Sequence, residues 1–453
     1  MNIIIIGCGK VGTSLAQQLS TEGHDITVID SQSDVIDKIT NLTDVRGMCG
    51  NGASYSTLKE AGIEESDLVI AVTGADEINL LCCLFAKKAG NCQTIARVRN
   101  PVYHREIQYI KEELGLSMII NPELASALEI ARLLRFPSAI DIDTFAQGRI
   151  ELLRFRIPEG CPLCNQQIKD LSILSRCEVL ICIVERGNQI VIPDGLVELR
   201  ANDTISIVAS SVNASRFFHS INIETNQVKN TMIIGGGKIS YYLASRLLEM
   251  GIRVKLIEKD KDRCDDLCEL LPAAAIIHGD GTDQELLEEE GIGNAEGFAA
   301  MTGIDEENVM LSLYARSVSN AKMITKISST TYDSIINSLN IGSVIYPRSI
   351  TTEYILQYVR AMQNTIGSNV ETLYRLVDGR AEALEFIIRE HGPVTDIPLQ
   401  ELKTRVNLLV CAICRDGQII IPKGQDCIRV GDSVVIITTN FGLKDIKDIL
   451  ERV

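Results

Sequence analysis

Asn2-Ile3-Ile4-Ile5-Ile6-Gly7-Cys8-Gly9-Lys10-Val11-Gly12 opens the chain with an apolar run that breaks into three closely spaced glycines. The run predicts a buried strand from Ile3 to Ile6, and the residues from Val11 to Leu19 carry apolar side chains at helical spacing. Strand, glycine turn and helix in that order make a phosphate-binding βα unit. Gly7 permits the tight turn, Gly9 lets a pyrophosphate approach the backbone, and Gly12 allows close helix–strand packing. Free N–H groups and the positive end of the helix dipole supply the attraction, so no lysine is required. Asp30, ending the next strand, is placed to accept hydrogen bonds from an adenosine ribose and to repel a 2′-phosphate.

The unit is written twice. Gly7 to Gly12 returns as Gly235-Gly236-Gly237-Lys238-Ile239-Ser240, and Asp30 returns as Glu258. Gly50-Asn51-Gly52 returns as Gly279-Asp280-Gly281, and the stretch from Thr73-Gly74 to Asn79 returns as Thr302-Gly303 to Asn308, at a displacement of about 229 residues. A period that long excludes solenoids and propellers and predicts that each copy is an independent folded unit. Ser240 stands where the third glycine should be, which predicts a looser second site or one for a different nucleotide.

Working outward, apolar strands alternate with helical segments in the pattern of a parallel, doubly wound sheet. The clearest strands are Ile26 to Ile29, Leu68 to Val72 and Thr94 to Val98, then Thr231 to Ile234, Val254 to Ile257, Gly297 to Met301 and Met323 to Ile327. Open α/β sheets bind ligands beyond the carboxyl ends of their strands. That adds Asn51, Gly52, Thr73, Gly74 and Arg97 in the first copy and Asp280, Gly281, Thr302, Gly303 and Lys326 in the second. Arg97 and Lys326 are placed to offset phosphate charge.

Each copy then changes character. Strands from Val179 to Glu185 and Gln189 to Ile192 flank a turn at Arg186-Gly187-Asn188, which predicts a hairpin in a small α+β lobe, and the pattern closes the chain again. The expected organisation is a Rossmann-like domain over 1–123, a lobe over 143–226, a second Rossmann-like domain over 228–348 and a second lobe over 368–453. The apolar stripe from Leu124 to Leu134, and its counterpart through Ile355, Val359 and Met362, fits either a core helix or one that packs on a partner subunit.

Composition narrows the partners. With 60 acidic against 44 basic residues the formal charge is −16, which disfavours nucleic acid or an anionic lipid surface. No apolar stretch reaches the ~18 residues a membrane span requires, and the amino terminus reads as a first strand and not as a signal peptide. The 14 cysteines lie mostly in apolar segments, as buried thiols do in a reducing compartment. Cys161-Pro162-Leu163-Cys164 and Cys411-Ala412-Ile413-Cys414 have the spacing of redox or zinc pairs, but they are not repeat equivalents and too few histidines accompany them. No metal site and no catalytic residue is expected. The five histidines do not recur between copies, and no proton-relay constellation accompanies the nucleotide turns.

The fingerprint, Asp30, Gly50-Asn51-Gly52 followed by Leu58-Lys59-Glu60-Ala61-Gly62, and the Thr73 to Asn79 stretch resemble the RCK (KTN) domains that regulate potassium transport. Two such domains in tandem, each with a small lobe, are similar to the peripheral subunits of prokaryotic Trk potassium uptake systems. The resemblance implies a homo-oligomeric regulatory protein, a dimer or a tetrameric ring, on the cytoplasmic face of a membrane potassium transporter, sensing NAD(H) or ATP/ADP. It implies ligand contacts at Gly7, Cys8, Gly9, Lys10, Val11, Asp30, Asn51, Gly52, Thr73, Gly74 and Arg97. In the second copy it implies Gly235, Gly236, Gly237, Lys238, Ile239, Glu258, Asp280, Gly281, Thr302, Gly303 and Lys326. Asn51, Ser240 and Lys326 depart from the family pattern. An NAD-dependent oxidoreductase with duplicated Rossmann domains is the alternative class, and lobes that bind a cyclic dinucleotide are a third reading.

Overall fold

The computed structural model describes residues 1–451 except 91, 105, 137–138, 146–149, 188, 224–227, 330–334, 337–338, 340, 365–369 and 378. Asn188 of the expected hairpin turn therefore lies outside the described residues. The first large domain runs β1 (Asn2–Ile6), α1 (Lys10–Thr21), β2 (Asp25–Asp30), α2 (Ser33–Leu42), β3 (Arg46–Cys49), α3 (Tyr55–Glu60), β4 (Leu68–Ala71), α4 (Asp76–Ala89), β5 (Gln93–Arg97), α5 (Pro101–His104), α6 (Ile107–Glu113) and β6 (Met118–Ile120). Its strands pair in the order β3-β2-β1-β4-β5-β6, all parallel. Chain direction across the sheet reverses between β1 and β4, which opens a crevice beyond their carboxyl ends. Ile3 to Ile6 and Leu68 to Ala71 are wholly buried, as central strands covered on both faces must be.

Helix α7 (Pro122–Arg135) leads to the first lobe: β7 (Asp141–Phe145), β8 (Ile150–Arg156), β9 (Gln166–Gln167), α8 (Ser172–Cys177), β10 (Leu180–Arg186), β11 (Gln189–Val191), β12 (Glu198–Leu199), β13 (Thr204–Ala209) and α9 (Ser211–Ser220). The second large domain follows as β14 (Asn230–Ile234), α10 (Lys238–Glu249), β15 (Arg253–Glu258), α11 (Lys261–Leu270), β16 (Ala275–His278), α12 (Gln284–Glu289), β17 (Gly297–Ala300), α13 (Asp305–Val318), β18 (Lys322–Lys326) and β19 (Ser343–Ile345). Its order, β16-β15-β14-β17-β18-β19, reproduces that of the first sheet. Helix α14 (Pro347–Asn364) precedes the second lobe, β20 (Val370–Leu376), β21 (Ala381–Ile387), β22 (Leu408–Arg415), β23 (Gln418–Ile420) and β24 (Ser433–Thr438). The antiparallel sheets of the lobes, β11-β10-β13-β8-β7 and β20-β21-β24-β22-β23, share one topology.

The expectation of two self-contained copies is corrected. The compact units join like with like: Met1–Ala131 with Lys229–Leu356, and Arg132–Val228 with Gln357–Val453. In the second unit one apolar core runs through both lobes, with Ile150, Leu152, Cys182 and Val208 in the same cluster as Ala381, Ala383, Cys411 and Val435. A sheet with two apolar faces cannot leave one in water, and the sister lobe supplies the cover. For the stripe along α7, the core-helix reading is the one observed, since Ala127, Ile130, Ala131, Leu133 and Leu134 are all buried within the single chain.

Candidate functional site

Every first-copy candidate, from Gly7 to Arg97, lines a single cleft of about 810 Å³ at the β1/β4 switch point. Its floor is the turn into α1. Gly7 has φ +96°, and an added Cβ would stand 2.8 Å from the Thr73 amide nitrogen, so glycine is obligatory there. At Gly12 a Cβ would come within 1.9 Å of the Gly7 carbonyl oxygen. Gly9 differs in kind: its φ is −64°, which any residue adopts, and a Cβ there would meet nothing within 4 Å. Helix α1 carries no side-chain cap and no acidic residue in its first turn. The missing side chain at Gly9 therefore keeps clear a space beside uncapped amides, where an anion is favoured.

Asp30 is held at the rim by its own backbone contacts. Its Oδ2 accepts from the Cys8 amide at 2.7 Å and its Oδ1 from the Gln32 amide at 3.0 Å. The acid thus fixes the turn as well as standing where a ribose diol would lie. The Cys8 thiol points inward toward the Ile29 carbonyl, and burial, reinforced by Asp30, pushes its pKa up to about 12, so it stays protonated and inert. The expected role of Gly52 is refined: a Cβ would sit 2.1 Å from Ile6 Cγ2, so this glycine exists to let the loop cross β1. Gly74, like Gly9, faces open space.

The wall opposite is a polar network that sequence reasoning did not single out. Asn79, wholly buried, accepts from the Thr73 amide and hydroxyl, each at 2.7 Å, and donates to the Thr73 and Arg97 carbonyls. Asp76 Oδ2 accepts from the Arg99 and Asn100 amides at 2.9 and 2.8 Å. Arg97 donates to the Thr73 carbonyl, and Arg99 donates to the Gly74 carbonyl at 2.6 Å. Burial, with Arg99 adding to it, lowers the Arg97 pKa, while its Nε lies buried without a hydrogen-bond partner. Recurrence of Asp76 and Asn79 as Asp305 and Asn308 was the available signal. Nothing in the sequence pointed to Arg99 or to Glu123, which also lines the cleft.

The second turn repeats the design with altered detail. Gly235 again has φ +96° and Gly237 again faces open space. Glu258 accepts from the Gly236 amide and, at 2.8 Å, from the Asp260 amide. Asn308 accepts from the Thr302 amide at 2.8 Å, and Asp305 binds the Ser328 and Ser329 amides. Gly281, like Gly52, is fixed by packing, since its Cβ would stand 2.2 Å from Ile234 Cγ2. Four features are new. Ser240 is fully buried with its hydroxyl unpartnered, and the Gly235 turn is slacker, at 3.1 Å from the Met301–Thr302 backbone. Asp280 pairs with Lys259 at 2.7 Å, which with the Thr282 amide and hydroxyl holds its carboxyl down at about 2. Lys326 reaches the Met301 carbonyl at 3.5 Å, and burial lowers its pKa.

The remaining chemistry is sparse. Cys161 and Cys164 are free, as are Cys411 and Cys414, with Cys411 buried. Among the described residues no three His, Cys, Asp or Glu side chains converge as metal ligands, and no helix is long and apolar enough to cross a membrane.

Comparison with known proteins places this arrangement. The TrkA-N domain matches residues 3–122 and 231–347, and the TrkA-C domain matches 152–222 and 383–451. The chain belongs to the TrkA family. It is 32% identical to the Trk system potassium uptake protein TrkA homolog 1 of Methanosarcina mazei, over 97% of both chains. It is 30% identical to the Trk system potassium uptake protein TrkA of Haemophilus influenzae, over 96% of this chain and 95% of that one. The fold is also that of the GsuK channel bound to NAD, with a TM-score of 0.65 at 16% identity, covering 97% of this chain and 77% of that chain. The GsuK RCK domain matches with a TM-score of 0.63 at 17% identity over 97% and 92%. A potassium-uptake regulatory protein, and not an oxidoreductase, is the reading that goes with this family.

Proposed function

We propose that this TrkA-family chain is the nucleotide-sensing subunit of a membrane potassium uptake transporter, acting from the cytoplasmic face as a homo-oligomer. The observation that carries the reading is the pair of phosphate turns whose central glycines, Gly9 and Gly237, are needed by neither backbone conformation nor packing. NAD(H) or ATP/ADP is the ligand class, with the pyrophosphate on the turn and the adenosine ribose at Asp30 or Glu258. Binding does its regulatory work through shape. A nucleotide shifts a two-state assembly from 1:99 to 99:1 when it binds the favoured state about 5.5 kcal/mol more tightly, a requirement that several sites in a ring share.

Small-angle scattering of the full chain with saturating NADH, ATP or ADP tests the idea, alongside calorimetric binding. Tight binding with profiles that differ between nucleotides supports a gating role. Identical profiles for all three ligands refute it, and turnover of NADH with a carbonyl substrate revives the oxidoreductase alternative.

A further inference from the structure

The helices that leave the two large sheets begin alike. Pro122 and Pro347 hold the first position, Ser126 Oγ donates to the Pro122 carbonyl at 2.8 Å, and Thr351 Oγ1 donates to the Pro347 carbonyl at 2.8 Å. The second residue is where they part: Glu123 in α7, Arg348 in α14.

Both helix starts reach toward the other half. Pro347, Arg348 and Thr351 line the first cleft together with the Gly7–Val11 turn. In return, Asn121 at the head of α7 donates to the Tyr242 hydroxyl of α10 at 2.9 Å, and that hydroxyl lies 3.3 Å from the Arg99 carbonyl. Glu123 is already engaged by Arg99 at 3.9 Å. Arg348 has no carboxylate partner among the described residues. Equivalent positions of the repeat thus bring to the first cleft a carboxylate held by Arg99 and a cation with no carboxylate partner among the described residues.

We propose that Arg348 of the second half is a ligand contact of the first cleft, where it engages the terminal phosphates of a nucleotide. The first cleft then selects the more highly charged polyphosphate, its own carboxylate, Glu123, being already engaged by Arg99. This rests on the nucleotide-sensing reading above. The contact is made across the repeat, so the first site is incomplete without the second half of the chain.

The test titrates the full chain with AMP, ADP and ATP by calorimetry in two backgrounds. Gly237→Asp fills the second turn and Gly9→Asp the first; both positions have ordinary φ and open space, so each variant folds. In the Gly237→Asp background affinity should climb from AMP to ATP. Arg348→Ala should then weaken ATP roughly tenfold or more while leaving AMP within about twofold, and Arg348→Lys should restore part of the loss. In the Gly9→Asp background Arg348→Ala should leave ATP affinity unchanged. Arg348→Gln, read beside the nucleotide-free melting temperature, guards against a folding defect. An unchanged phosphate series in Arg348→Ala overturns this inference alone, as does a loss confined to the Gly9→Asp background. Absence of binding by any of the three nucleotides to the unsubstituted chain overturns the nucleotide-sensing reading with it.

Discussion

Alanine at Gly9 and alanine at Gly12 should have opposite consequences, although the two glycines belong to one motif. At Gly12 the new Cβ would lie 1.9 Å from the Gly7 carbonyl oxygen, with Val72 Cγ2 at 3.4 Å behind it. Contacts under 3.0 Å do not occur, so α1 must retreat by roughly 1 Å from β1, the strand its buried Leu15 and Leu19 help to cover. Overpacking of this kind costs about 1–3 kcal/mol, or roughly 2–4 °C in melting temperature per kcal/mol for a unit of this size. At Gly9 the backbone is already at φ −64° and the Cβ meets nothing. The loss of a good N-cap residue, about 0.5–1 kcal/mol, is largely offset by the reduced entropy of the unfolded chain. Stability should therefore change by less than about 1 kcal/mol. Nucleotide binding should respond the other way, because the methyl group occupies the space a phosphate needs. Losing one charge-assisted hydrogen bond corresponds to about 1.5–3 kcal/mol, or roughly 10- to 150-fold in Kd. The assay is a melt without ligand beside a titration with NADH or ATP, in a Gly237→Asp background so that the first cleft alone reports. If Gly9→Ala bound nucleotide as tightly as its parent, the assignment of that open space to phosphate would be refuted.

Other substitutions probe the supporting shell. Asn79→Ala strips partners from the Thr73 amide and from two carbonyls at a fully buried site and should cost about 2–4 kcal/mol by denaturant unfolding; a loss under 1 kcal/mol would show that the network relaxes onto water. Ser240→Ala removes a buried unpartnered hydroxyl and raises helix propensity, so it should stabilise by about 1 kcal/mol. Destabilisation there would mean the hydroxyl is satisfied in solution. Asp280, held near 2 by Lys259, is a depressed acid: its contribution to stability is complete above the ordinary aspartate value and lost as pH falls through about 2. Lys259→Ala should return the Asp280 titration toward the usual carboxylate range in a carboxyl-carbon NMR experiment, and an unmoved titration would contradict the pairing.

Much of the fold was legible because its signals are local. The four-isoleucine run, the three glycines and the acid at the end of β2 each depend on neighbours within one βα unit, and the repeat supplied a second reading of every one. Strand ends differed by a residue or two, as at Thr94 to Val98 against Gln93–Arg97, where fraying makes any boundary soft. What was not legible is what depends on distant packing. Gly52 lines the cleft, as its loop position after a strand suggested, but the packing that demands a glycine there comes from Ile6, a residue on another strand. Arg348 carries no motif, and its place in the first cleft follows from how the two large domains share one unit. The pairing of lobes was hidden for the same reason: apolar alternation says that a face is buried without saying what buries it.

The apolar core that runs through both lobes has an evolutionary corollary. A single-length ancestor of this chain would have needed a second molecule to complete that core, as an isologous dimer does. In such a dimer every substitution is made on both sides at once, so a cation at the start of one helix forces a cation at the start of the other. Covalent tethering lifts that obligation. Glu123 and Arg348, Gly12 and Ser240, and Arg97 and Lys326 are pairs that a symmetric pair of identical molecules could never have contained.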